Sequence, residues 1–409
     1  EYKFKVTDED GNPIENVTVD YEMVTPNFSF GWFGSDINKN LTSKIQELGF
    51  NGAQIFSFWH ETEPADDEWD FEKKKEKLDK LGGFTKGVSG LIGDTPPYLS
   101  NISDFQLPDE VEEHVLRSIG ELESIGDINY WECYGLGMHY WADKTLQMTD
   151  ERNKSINMAS TKECIETVNQ NTNDSAIVTG WNIDGSNINV ENYTDSPYEY
   201  YQRFSSLDFD IGFDFMYFGG AHEMYPDLIE QGVYKGESVS PTGKNWIPAR
   251  HLYSISEMLD WYSKLNKTVH IQYFQAPSNY VGGQQGFWHE KWNEDVQAEW
   301  IKKYYKLIYS KPFIRSINYL EVKDSGWKDL KTGILYQNGT PKESYFELKR
   351  LLDGWSSKGI VTTDSNGISQ FKGYDGIYRV TLSKKGYVIK EILTSRKENI
   401  FRLKSKKRD

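Results

Sequence analysis

The stretch that decides the fold is K-T-V-H-I-Q-Y-F-Q-A-P-S, Lys267 to Ser278. A short β-branched and apolar run passes into polar residues and then a proline, the pattern of a buried parallel strand emptying into a loop. Upstream, Pro248 to Lys264 has the apolar spacing of a helix, and Asp295 to Ser310 has it again downstream. A further strand follows at Ser316–Leu320, then D-S-G-W at Asp324–Trp327 and G-I-L-Y-Q-N-G-T-P-K-E-S-Y-F-E-L from Gly333 to Leu348.

Working outward, the same alternation runs through most of the chain. Strand-like runs lie near Phe30–Phe33, Asn51–Phe58, Gly87–Ile92, Tyr130–Tyr134, Ala176–Trp181, Ile211–Tyr217, Thr268–Phe274 and Ser316–Leu320. Helical patterns separate them at Asn40–Leu48, Phe71–Leu81, Glu110–Ser124, Thr161–Asn169 and Pro197–Phe204. In Glu110–Ser124, Val111, Val115, Leu116, Ile119 and Leu122 are expected on one face. Eight βα units predict an α/β fold, a (β/α)8 TIM barrel whose functional residues sit at the C-terminal ends of its strands. The chain ends read differently. K-F-K-V and V-T-V-D-Y-E flank D-E-D-G-N-P, and period-two alternation returns after Gly359 around Asp364–Gly367 and Gly373–Gly376. These segments predict a small antiparallel β-sandwich built from both termini. The expected organisation is therefore 1–29 N-terminal sandwich strands, 30–355 barrel and 356–409 C-terminal sandwich strands.

The net charge of −16 argues against a nucleic-acid partner. No run of about 18 apolar residues predicts a membrane span. Aromatic residues make up 15% of the chain, enough to supply both core and sugar-stacking surfaces. Two cysteines, Cys133 and Cys164, are too few for a disulfide framework or a cysteine metal site, and one disulfide between them is left open. No cofactor or metal site is expected. Asn-x-Ser/Thr occurs at Asn16, Asn27, Asn40, Asn101, Asn153, Asn173, Asn192, Asn266 and Asn338. That enrichment points to a glycosylated, extracellular or cell-surface protein.

The order of elements, ending in N-G-T-P-K-x-x-Y and a last helix, resembles glycoside hydrolase family 10, the endo-xylanase barrels. F-W-H-E-T-E-P at Phe58–Pro64 is similar to that family's K-W-x-x-T-E-P segment, and I-G-F-D-F-M-Y at Ile211–Tyr217 to its I-G-L-Q-x-H strand. The resemblance covers almost the whole chain, but the chemistry departs from it. The family's W-D-V-V-N-E strand, ending in the acid/base, is matched by W-E-C-Y-G-L, so Leu136 takes the acid/base position. Its H-I-T-E strand is matched by His270 to Tyr273, so Tyr273 takes the nucleophile position. By the same match Glu132 and Glu63 have structural roles.

Retaining glycosidases need two carboxyl groups about 5–5.5 Å apart. With Leu136 and Tyr273 in their places, the resemblance implies a pseudoenzyme that binds carbohydrate or serves as a surface or self-assembly component. Trp59, His60, Trp181, Asp214, Gln272, Tyr273 and Trp327 are the candidate sugar-binding residues. The alternative is a hydrolase of β-linked polysaccharide using displaced carboxylates, with Asp94, Asp214 and Glu223 as candidates. A phenol at Tyr273 would need an adjacent base to act as nucleophile.

Overall fold

The computed structural model describes residues 1–34, 37–103, 105–134, 151–182, 201–216, 252–279, 292–325 and 331–406. Two compact units divide the chain: Glu1–Phe28 with Lys349–Asp409, and Ser29–Leu348.

The first unit holds β1 (Tyr2–Thr7) and β2 (Thr18–Pro26) from the N-terminus. Its later strands are β11 (Lys358–Thr362), β12 (Ile368–Phe371), β13 (Gly376–Ser383), β14 (Lys390–Thr394) and β15 (Glu398–Arg402). They form a three-stranded sheet, β12-β1-β15, and a four-stranded sheet, β11-β2-β13-β14. Alternate residues turn inward, as the period of two requires. Phe4, Val6, Val19, Tyr378, Val380 and Leu382 thus share one buried core. The sandwich is antiparallel except where β15 lies parallel to β1, pairing Lys3 with Glu398. Alternation reports which face a residue takes but not the direction of its neighbour, so sequence reading missed this pair.

The second unit is a closed barrel of β3 (Ser29–Phe33), β4 (Gly52–Phe56), β5 (Thr85–Ser89), β6 (Ile128–Tyr134), β7 (Ala176–Asn182), β8 (Asp210–Met216), β9 (Val269–Gln275) and β10 (Ile314–Tyr319). Each strand pairs in parallel with the next, and β10 closes on β3. The described helices are α1 (Lys39–Leu48), α2 (Trp59–Thr62), α3 (Glu72–Asp79), α4 (Leu107–Glu123), α5 (Glu151–Asn171), α6 (Leu252–Tyr262), α7 (Glu294–Tyr309) and α8 (Glu343–Gly354). The cut between the units falls inside α8, at Leu348/Lys349 rather than at 355/356.

Local chemistry explains the helices. Asn293 caps α7 by accepting the Val296 amide at 3.0 Å, and Glu294 and Asp295 sit at its positive end. Trp300, Ile301, Tyr304, Tyr305 and Ile308 then form its buried face. In α4 the buried face is Val111, His114, Val115, Ser118, Ile119 and Leu122. Leu116, expected there, is exposed. One residue past Val115 is rotated about 100° around the axis, which carries Leu116 off the stripe and lets His114 take the place.

The barrel interior is polar at mid-height. Gln54 of β4 donates its amide to Gln272 Oε1 of β9 at 3.1 Å, and Asn318 of β10 donates to the same oxygen at 2.8 Å. Glycines on other strands make room for them. A Cβ on Gly31 would collide with Asn318, and one on Gly87 would lie 2.8 Å from Gln54 Cγ.

Candidate functional site

The strand quoted at the outset carries the site because it does not alternate cleanly. From Phe213 to Asp214 β8 advances one residue while β9 advances two, from Ile271 to Tyr273. Against β10, the pairing jumps from Ile317↔Ile271 to Tyr319↔Phe274, again one residue more on β9. β9 therefore bulges at Gln272–Tyr273, and a bulge lets consecutive residues face the same side. Gln272 enters the mid-barrel amide layer, and Tyr273 also faces the axis, one level nearer the C-terminal end. Beyond it Phe274 turns outward, stacking on Tyr304 of α7 at 4.5 Å and 16°.

At that level Tyr273 meets Glu132 of β6, whose side chain is 1% exposed. The Tyr273 hydroxyl donates to Glu132 Oε2, the Ser89 hydroxyl donates to the same oxygen, and the Thr179 hydroxyl donates to Oε1. Three strands besides β6 thus converge on one carboxyl group. Burial is the largest influence on it and pushes its pKa up to about 7, although hydrogen bonds from Ser89, Thr179 and Tyr273 oppose the shift. Aromatic rings line the same level. Phe33 of β3 stacks on Tyr273 at 5.0 Å and on Phe56 of β4 at 4.6 Å, and Phe58 continues the stack at 5.0 Å from Phe56. Phe58 also lies against Gly90, where φ is +83° and a Cβ would sit 2.8 Å from the ring. Only glycine serves both demands at that position.

A second buried carboxylate, Glu63, caps the C-terminus of α2. The indole N–H of Trp59 donates to Glu63 Oε2 at 2.8 Å, and His114 Nδ1 donates to it at 3.0 Å. Burial lowers the pKa of His114, so a neutral imidazole is the donor. Glu63 itself is pulled below the ordinary carboxylate range: burial opposes ionisation, but the bonds from its neighbours, His114 foremost, outweigh it. Bonds from α2 and α4 thus pin the Thr-Glu-Pro segment. The N-G-T-P-K turn is another. Lys342 Nζ donates to Asp324 at 2.7 Å and to Ser278 at 2.8 Å, all within the barrel unit.

Two expected sugar-facing residues are corrected by these positions. Trp59 is fully buried with its ring stacked on His114 at 4.3 Å, so it fills space between α2 and α4. Gln272 is fully buried and its oxygen already accepts two amides. His60 is exposed, its Nδ1 2.9 Å from the Asp94 carbonyl, and Asp94 is an exposed loop residue with φ +47°. Neither reaches Glu132 or Tyr273 through any bond described. Trp181 and Asp214 lie on β7 and β8, with side chains outside the described residues; Leu136, Glu223 and Trp327 lie outside them altogether.

Sequence reading passed over Glu132, Ser89 and Thr179 as a constellation. The signal was available only in part: Glu132 stands out as a charge inside a strand, but nothing local says which residue meets it. The open disulfide question is resolved, since Cys133 of β6 bonds Cys164 of α5 with Cα atoms 5.7 Å apart. Among the described residues no cluster of three His, Cys, Asp or Glu side chains could hold a metal ion, and no helix is long and apolar enough to cross a membrane.

No protein-family model matches the chain, and no curated protein matches it at a significant level. Solved structures do. Native xylanase 10B from Thermotoga maritima is 14% identical with a TM-score of 0.54, over 80% of this chain and 95% of that one. Xylanase 10B from Thermotoga petrophila RKU-1, in complex with xylobiose, is 14% identical with a TM-score of 0.53, over 80% and 94%. A GH53 catalytic domain from Ignisphaera aggregans is 13% identical with a TM-score of 0.55, over 79% and 91%. The fold is that of a glycoside-hydrolase-like (β/α)8 barrel, and its structural neighbours include family 10 xylanases. At such identity the likeness speaks for the fold alone.

Proposed function

We propose that this chain is a secreted, glycosylated protein whose barrel binds a β-linked polysaccharide without cutting it, at a cell surface or in an extracellular assembly. The observation that carries the reading is that the Glu132–Tyr273 cluster is bonded within itself. Both carboxylate oxygens of Glu132 already accept hydroxyl donors, the Tyr273 hydroxyl among them. A general acid must reach the leaving oxygen, and a nucleophile the anomeric carbon. Leu136 at the family's acid/base position supplies no proton.

The compartment is supported independently. The Cys133–Cys164 disulfide suits an oxidising environment. Asn16, Asn27, Asn40, Asn101, Asn173, Asn266 and Asn338 are all exposed, as glycan acceptors must be. The net charge of −16 supports a partner other than nucleic acid.

The Tyr273–Glu132 contact favours one other reading, a retaining hydrolase in which Glu132 takes the phenolic proton, Tyr273 attacks the anomeric carbon, the glycosidic bond breaks and the leaving oxygen takes a proton from water. Calorimetric titration with xylohexaose, run beside a reducing-end assay on xylan and mixed β-glucans, separates the two. The binding reading expects heat of association with no new reducing ends. Hydrolysis that disappears in Tyr273→Phe and Glu132→Gln would establish the tyrosine enzyme instead.

A further inference from the structure

The two glutamines of β9 face the same axis at different depths and differ in what they bond. Gln272 accepts two amides in the mid-barrel layer, and only its Nε2 lacks a partner among the described residues. Gln275 is fully buried, yet among the described residues neither its Nε2 nor its Oε1 has a hydrogen-bond partner. Its direction follows from its neighbours. Tyr273 faces the axis, because its hydroxyl reaches Glu132, and Phe274 faces away, because its ring stacks on α7. Alternation returns Gln275 to the axis, one level closer to the C-terminal end than Tyr273. That end is where barrels of this kind take their ligands.

A buried carboxamide with both ends unpaired lowers stability, since each group has given up water for nothing. A ligand that supplies the missing donor and acceptor would remove that cost. We propose that Gln275 is a saccharide-reading residue of the barrel mouth, its Nε2–H donating to one sugar hydroxyl while its Oε1 accepts from the neighbouring one. A carboxamide offers a donor and an acceptor side by side without charge, which matches vicinal hydroxyls of a neutral pyranose. Below, the phenol of Tyr273 and the stacked rings of Phe33, Phe56 and Phe58 form a floor of aromatic faces. This assignment rests on the carbohydrate-binding reading and names the residue that gives it selectivity.

The test uses the full chain, with xylotriose and cellotriose as probes in calorimetric titration and thermal unfolding as the control. Gln275→Leu and Gln275→Met keep the volume and remove the amide. Both are expected to bind at least ten-fold more weakly than the unchanged protein, with an unfolding temperature equal to or above it, because no polar group is left stranded. Unchanged affinity in both variants overturns the assignment of Gln275 and leaves the binding reading intact. A fall of many degrees in unfolding temperature, or failure of both variants to fold, overturns it too, by making the amide a structural group. If the unchanged protein binds neither trisaccharide, the binding reading fails and this assignment falls with it.

Discussion

Glu63 and Glu132 are both carboxyl groups buried in the barrel unit, at 3% and 1% exposure, and they are driven in opposite directions. Glu63 meets N–H donors from an indole and an imidazole, the Tyr98 hydroxyl also favours its charge, and it is held below the ordinary carboxylate range. Glu132 meets the hydroxyls of Ser89, Thr179 and Tyr273 and the backbone of Gly90, yet burial outweighs them and its pKa rises to about 7. Both sets of donors favour the charged carboxylate, so the opposite outcomes turn on burial, which is outweighed at Glu63 and prevails at Glu132. The first group is a fixed pin; the second is poised to exchange a proton near neutrality.

The comparison breaks most visibly at His114. His114→Ala removes a buried ring and strips Glu63 of a donor, with an expected loss of about 3–5 kcal/mol. Urea unfolding at pH 7 measures it; a loss below about 1 kcal/mol would mean that Glu63 is not held by this bond. Next comes the pH dependence of Glu132. Its folded pKa lies above the unfolded value of 4.5, so the native state holds the proton longer and stability falls as pH rises from 4.5 to about 7. The expected fall is about 3 kcal/mol, and Glu132→Gln should flatten it. Glu63 has the opposite sign: its contribution is present above the ordinary carboxylate pKa and is lost as pH falls through its depressed value. A profile rising across the upper window in the unchanged protein would reverse the assignment of Glu132. The smallest effect belongs to Tyr273→Phe, about 1 kcal/mol, because Ser89 still donates to the same carboxylate oxygen. Infrared spectra should show the Glu132 carboxyl protonated to a higher pH than before, since a bond favouring the charged form has gone.

Much of the barrel was legible because apolar spacing is a local property. The eight strands, the buried face of α4 apart from Leu116, and the sandwich segments at both ends all follow from periods of 3.6 and 2.0. The site was less legible. H-I-Q-Y-F-Q reads as strict alternation, with His270, Gln272 and Phe274 on one face. The bulge breaks it, so Tyr273 and Gln275 join His270 and Gln272 on the axis while Phe274 leaves. In hindsight the chemistry hinted at this, since the apolar Ile271 and Phe274 are three residues apart rather than two. Trp59 misled because aromatic content alone cannot distinguish a stacking platform from a ring already stacked on His114.

The order of βα units, the sandwich segments and the Asn-x-Ser/Thr positions were all available from the chain itself. They depend on residues within a few positions of one another. Tertiary structure alone decided that Cys133 finds Cys164, that Glu132 finds Tyr273 across 141 residues of chain, and that Gln275 is left without a partner among the described residues. Strand register is set by both neighbours at once, and the pKa of a buried carboxyl by every group that displaces its water. Neither quantity exists until the barrel has closed.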